Sequence, residues 1–189
     1  LGWTPRPDET QLDAQLRGLL VQMNALTGAD PAIAERCREL FALVLDAPER
    51  IDADLAAAVT VVAAATGDDD TYETFLERFR RATTPQETLR FLYGLAEFDD
   101  PERIQRTVEL AFSPEVKTQN APFLIGRCIA ARNHGRAAWR ILRSRWAEAD
   151  SRFPGSSIVR MVDTVKHLDR AEDLVDVQAF FAEHPIPQG

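Results

Sequence analysis

Leu12-Asp-Ala-Gln-Leu16-Arg-Gly-Leu19-Leu20-Val-Gln-Met23-Asn-Ala-Leu26 decides the fold class of this chain. Its apolar residues fall at i, i+4, i+7, i+8, i+11 and i+14, one face of an α-helix, and that face is predicted to be buried. The same period returns at Ile33, Cys37, Leu40, Phe41 and Val44, and again at Tyr72, Phe75, Leu76 and Phe79. It continues at Ile104, Val108, Ala111 and Phe112, and closes at Leu174, Val177, Phe180 and Phe181. No stretch alternates apolar and polar residues between hairpin turns, so no sheet is expected.

The helix boundaries carry their own chemistry. Asp30-Pro31 and Asp100-Pro101 each place a capping carboxylate before a proline at the first helical position, where the missing N–H leaves nothing unpaired. Thr84-Pro85 places a capping hydroxyl in the same position, and Glu87 completes a capping box. Gly67 before Asp68, Asp69 and Asp70 marks one end and the next start. Asp169 is the expected cap of the final helix, and Pro185 follows its end. These signals predict about ten helices, at 9–27, 31–46, 53–66, 70–82, 85–97, 101–112, 118–132, 135–150, 156–167 and 170–183. Short connections make neighbours antiparallel. A helical pair takes roughly 35–40 residues, near the HEAT-type period, so an all-α stack of helical hairpins is expected, with a closed bundle as the alternative. No linker rich in Pro or Gly interrupts residues 1–189, which read as one domain. Residues 1–8, with Trp3, Pro5 and Pro7, form an extended lead-in, with Trp3 expected to dock on the first helix.

Composition narrows the function classes. The 189 residues are 45% hydrophobic and 28% charged, with a formal net charge of -8. Nucleic acid is disfavoured, because phosphate binding needs clustered cations, and so is an anionic membrane surface. No apolar run reaches the length of a membrane span. Cys37 and Cys128 sit among apolar helical neighbours and read as free buried thiols in a reducing cytosol. The chain begins at Leu1 with no signal peptide, and reads as a piece of a longer protein.

A search for chemistry returns little. His134, His167 and His184 are scattered, no His-Glu-x-x-His occurs, and no metal ligand set is expected. Phosphate-binding glycine loops and a nucleophile elbow are absent from the sequence. Acidic runs at residues 68–70 and 99–100 fit helix starts, not the spaced ligands of a calcium loop. Without an acid–base or nucleophile pair, no catalytic residue is assigned.

Arginine is the exception. Arg127, Arg132, Arg136, Arg140, Arg143 and Arg145 crowd one predicted hairpin. They are either a solvated face paired with nearby acids or a positive patch able to hold a peptide carboxylate, a task suited to the planar guanidinium fork. Trp139 and Trp146, seven apart and so on one helix face, are expected in the core.

Several stretches carry a resemblance: Leu1-Gly-Trp3, Leu12-Asp-Ala-Gln-Leu-Arg-Gly-Leu19, Ala53-Asp-Leu55, Val116-Lys-Thr-Gln119, His134-Gly-Arg-Ala-Ala-Trp139 and Ala179-Phe-Phe-Ala-Glu-His-Pro185. In order and spacing they resemble the C-terminal helical domain of zinc aminopeptidases of the aminopeptidase N type, in the puromycin-sensitive and endoplasmic-reticulum branch. The resemblance implies a right-handed superhelix of HEAT- and armadillo-like hairpins arching over a thermolysin-like catalytic domain and enclosing a peptide cavity. It places the zinc, its His-Glu-x-x-His ligands and distant Glu, and the amine-recognising Gly-Ala-Met-Glu-Asn motif elsewhere in the parent enzyme. This chain alone is then no enzyme and carries no cofactor.

By the same resemblance, Arg132 in Arg132-Asn133-His-Gly135 takes the place of an arginine that meets a peptide C-terminus, with one residue fewer before Trp139. Arg127 and Arg136 are its expected neighbours in peptide binding. Arg17 matches a recurring arginine with a structural task, bridging helices through buried hydrogen bonds. The expected partners are the protein's own catalytic domain and peptide substrates, with no nucleic acid and no membrane, in the cytoplasm. An independent helical-repeat scaffold binding a protein partner is the alternative.

Overall fold

The computed structural model describes residues 2–186; Leu1, the first residue of the lead-in, lies outside them. Eleven α-helices and no strand are present among the described residues. The chain divides into two compact units, Leu1–Gly94 and Leu95–Gly189.

The first unit is built around α3 (Ala53–Ala65). Its sequence is apolar on every side, which suits a helix that neighbours enclose. Helices α1 (Gln11–Gln22) and α2 (Pro31–Asp46) both pack on it, α4 (Asp69–Arg81) pairs with α5 (Pro85–Gly94), and α5 reaches α3. Phe75 joins the layers, stacked on Phe41 at 5.3 Å and edge-on to Phe91 at 5.4 Å.

Helix α1 corrects the opening expectation. Its buried residues are Ala14, Arg17, Gly18 and Val21, whereas Leu12, Leu16, Leu19, Leu20, Met23 and Leu26 are exposed. Gly18 explains the choice. An added Cβ there would stand 2.8 Å from the Asp54 carbonyl oxygen, so the small-residue face lets α1 lie close against α3 as the leucine face cannot. After Gln22 the helix widens into a π-helical turn, Met23–Thr27.

The second unit is built around α7 (Ala121–Ala130), which touches α6 (Pro101–Ala111), α8 (Gly135–Ser144) and α10 (Gly155–Asp163). The helix expected over 135–150 is divided at Arg145, whose backbone leaves helical geometry at φ -115° and ψ 19°. The break is held by side-chain bonds: Arg145 Nε and Nη2 donate to Glu148 at 3.0 and 2.6 Å, and its guanidinium lies 4.0 Å over the Phe112 ring. Helix α9 (Trp146–Arg152) follows, and α11 (Ala171–Glu183) closes the unit.

The caps at Asp30, Asp68 and Asp100 form as their sequences require. At α5 the Thr84 hydroxyl accepts from the Glu87 N–H at 3.2 Å, and the Glu87 carboxylate accepts from Thr83 at 3.3 Å. Asp169 does not cap α11. That position belongs to Arg170, whose N–H donates to Asp173 at 3.3 Å. The apolar face read for α11 is buried at Phe180 but exposed at Leu174.

Candidate functional site

Residues 131–134 connect α7 to α8, and four contacts shape this turn. The Gly135 N–H donates to the Ala131 carbonyl at 2.9 Å. Gly135 itself lies so close to the Ile129 carbonyl oxygen that any Cβ would overlap it. Asn133 Nδ2 donates to Asp99 Oδ1 at 2.8 Å, and His134 Nε2 lies 3.1 Å from the same oxygen. The turn is thereby tied to the loop before α6. No side chain caps the start of α8, so the positive end of its dipole opens at this turn.

The arginines separate into two groups. Arg127 Nη1 lies 3.4 Å from Glu97 Oε1. Burial pushes the Glu97 carboxyl above the ordinary range, and the Arg127 charge offsets only part of that. Arg136 sits between two carboxylates of α11, with Nη1 2.5 Å from Glu172 and Nε 2.6 Å from Asp173. Burial disfavours its charge, but the two carboxylates overcome this and hold its pKa above the usual value. Arg143 pairs with Asp176, and Arg145 with Glu148. Arg132 and Arg140 have no side-chain hydrogen bond or ion pair among the described residues.

Of the three arginines assigned to peptide binding, then, Arg127 and Arg136 already hold carboxylates and Arg132 holds none. Arg132 is exposed, at a cleft of about 30 Å³ that Arg136, His167, Asp169 and Arg170 also line. Arg136 and Arg170 are both engaged there by Glu172, which leaves Arg132 as the arginine of the cleft without a carboxylate partner. The arrangement fits a small anion, which a free guanidinium can grip through two N–H groups. Asp173 and Asp176, which neutralise Arg136 and Arg143, were not anticipated from sequence. Their spacing on α11 is the signal that was available: three apart, they lie on one helix face.

The residues assigned to structure lie elsewhere. Arg17 is 1% exposed and pairs with Glu9, in the segment before its own helix; its Nε and Nη1 find no partner. The Arg17 hydrogen bond holds the Glu9 carboxyl below the ordinary range. Trp139 and Trp146 are both buried and both meet Phe180 edge-on at 5.1 Å, and Trp139 Nε1 donates to Asp176 at 2.8 Å. His184 closes this cluster 4.6 Å from Phe180. Both cysteines are free and fully buried, and burial pushes the Cys37 thiol up to about 11. Among the described residues, no group of three or more His, Cys, Asp or Glu is placed to hold a metal ion. No helix of the described residues is long and apolar enough to cross a membrane.

Comparison with known proteins places these features in a family. The family described as ERAP1-like C-terminal domain matches residues 1–189. Aminopeptidase M1 of Arabidopsis thaliana is 31% identical over 193 residues, covering 99% of this chain and 22% of that protein. Aminopeptidase M1-A of Oryza sativa subsp. japonica is 30% identical over 186 residues, covering 96% of this chain and 21% of that protein. Glutamyl aminopeptidase of Mus musculus is 28% identical over 123 residues, 63% of this chain and 13% of that protein. The chain spans about a fifth of the length of the two plant relatives. It belongs to the ERAP1-like C-terminal domain family, as an all-helical domain of the kind found in aminopeptidases.

Proposed function

We propose that this chain is the non-catalytic C-terminal part of a zinc aminopeptidase, that it walls the peptide cavity beside the catalytic domain, and that Arg132 receives the C-terminal carboxylate of the peptide. The observation carrying this reading is the contrast within the arginine cluster. Arg127, Arg136, Arg143 and Arg145 are engaged by carboxylates of the chain itself, whereas Arg132 is exposed and unpaired at the basic cleft. A carboxylate arriving there finds a full guanidinium without displacing an internal partner. Its other end, the peptide amine, is then directed to the zinc on another domain, where the N-terminal residue is removed. Two unpaired thiols suit a reducing compartment, and the cytosol is the proposed location.

The test is Arg132→Ala in the full-length enzyme. KM for peptides with a free C-terminal carboxylate rises about ten-fold, the worth of a charge-assisted hydrogen bond, while kcat/KM for single-residue aminoacyl amides is unchanged. Equal losses on both substrate types remove Arg132 from the site.

A further inference from the structure

A cavity of about 440 Å³ lies in the first unit and shares no residue with the basic cleft. Arg38 and Phe41 of α2 line it, with Ala63 of α3, Thr66 and Asp68 of the connection that follows, and Thr71 of α4. Small-molecule sites are of this kind, roughly 300–1,000 Å³ with a few polar groups on an apolar lining.

Two opposite charges reach the cavity from separate elements. Arg38 comes from α2, where it pairs with Glu35 on the same helix, and both side chains are about half exposed. An exposed pair of this kind is weak and open to exchange. A ligand carboxylate can replace it by taking the planar guanidinium through two N–H groups. Asp68 comes from the start of α4, where it accepts from the Thr71 N–H at 3.0 Å and the Thr71 hydroxyl at 2.8 Å. An ionised carboxylate has room for about four such bonds, so an ammonium can share Asp68 with the cap left whole.

The remaining walls support the same division. The Thr66 hydroxyl is spent as a donor on the Val62 carbonyl at 2.8 Å, so toward the cavity its oxygen can only accept. Helix α3 ends at Ala65, which brings the negative end of its dipole to this wall. An ammonium is favoured beside Asp68 and Thr66, and a carboxylate beside Arg38. Phe41 and Ala63 are buried and form an apolar floor, and the Phe41 ring is held by its stack on Phe75.

A simple anion is opposed here by Asp68, and a simple amine by Arg38. A small molecule that carries both charges satisfies both. We propose that this cavity binds a free α-amino acid with an apolar side chain, its carboxylate on Arg38, its ammonium on Asp68 and Thr66, and its side chain against Phe41 and Ala63. On the reading of this chain as part of an aminopeptidase, the ligand is also of the class the enzyme releases, but the binding does not depend on that reading.

The test is equilibrium dialysis of radiolabelled L-phenylalanine against the full-length protein, comparing the natural sequence with Arg38→Ala, Asp68→Asn and Arg36→Ala. Asn keeps a capping oxygen for α4 while removing the charge. Arg36 pairs with Glu39 on α2 and does not line the cavity. The catalytic site is a second place for phenylalanine, so the readout is the difference between variants. The expected result is one class of site whose Kd rises about ten-fold or more in both Arg38→Ala and Asp68→Asn, the loss of one charge-assisted contact, and is unchanged in Arg36→Ala. N-acetyl-L-phenylalanine, which lacks the ammonium, and phenethylamine, which lacks the carboxylate, should not empty that site when added in large excess. Equal binding by the natural protein and Arg38→Ala, including none by either, overturns the proposal. Loss in only one of the two cavity variants overturns it, as does displacement by either analogue. Peptide hydrolysis plays no part in the difference, so failure of the aminopeptidase reading leaves it unaffected.

Discussion

Asn133 and Asp99 are 34 residues apart, yet Asn133 Nδ2 donates to Asp99 Oδ1 at 2.8 Å, and His134 Nε2 approaches the same oxygen. One carboxylate on the loop before α6 thus fixes the two residues that follow Arg132. Asp99→Ala releases both. Because Asp99 and Asn133 are exposed, the melting temperature should move little. KM for free-carboxylate peptides should rise two- to three-fold, less than for Arg132→Ala, with faster amide exchange confined to residues 131–135. A KM unchanged beside faster exchange would show that turn geometry does not matter to binding.

Arg17 and Glu9 predict a pH dependence. The folded-state pKa of Glu9 is lowered, chiefly by the hydrogen bond from Arg17. The pair therefore contributes stability above the ordinary glutamate value of 4.5, and that contribution is lost as pH falls through the folded pKa. Glu9→Gln should melt well below the natural protein near pH 7, since it leaves Arg17 buried and unpaired. The gap should narrow as thermal melts are repeated at pH values progressively below 4.5. A gap of constant size would contradict the assignment.

Gly135→Ala tests the close approach of α8 to the end of α7. A methyl group there overlaps the Ile129 carbonyl oxygen, so backbone must move. Overpacking of this kind costs about 1–3 kcal/mol, readable by urea denaturation. A helix-favouring replacement that stabilised the protein instead would mean that the turn has room the structure does not show.

Trp139 separates packing from hydrogen bonding. Trp139→Phe keeps most of the ring contact with Phe180 but removes the N–H that donates to Asp176. It should cost about 1–2 kcal/mol. Trp139→Ala empties the site as well and should cost about 3–5 kcal/mol. Equal costs in denaturant unfolding would leave the Asp176 bond without a share.

Much of this architecture was legible because it is local. Capping carboxylates at Asp30, Asp68 and Asp100 act on amides two or three residues away, and prolines fix their own φ, so the sequence announces where most helices start. The buried stripes of α2, α4 and α6 follow from periodicity alone. The arginine crowding was equally visible at residues 127–145, but the helix expected over 118–132 ends at Ala130, which leaves Arg132 in the turn.

Which arginines stay free is not a local property. It depends on Glu97, Glu172, Asp173 and Asp176 reaching Arg127, Arg136 and Arg143 across long stretches of chain, and only packing brings them there. Arg145 breaks its helix because Phe112 and Glu148 hold the guanidinium. The inward face of α1 was decided the same way. Periodicity finds the leucine stripe but cannot weigh it against Ala14, Gly18 and Val21, whose small volume lets two backbones approach. Sequence alone determined that α1 is an amphipathic helix. Tertiary structure decided that its small residues meet α3 and its leucines remain outside, because helix packing rewards close contact as well as apolar area.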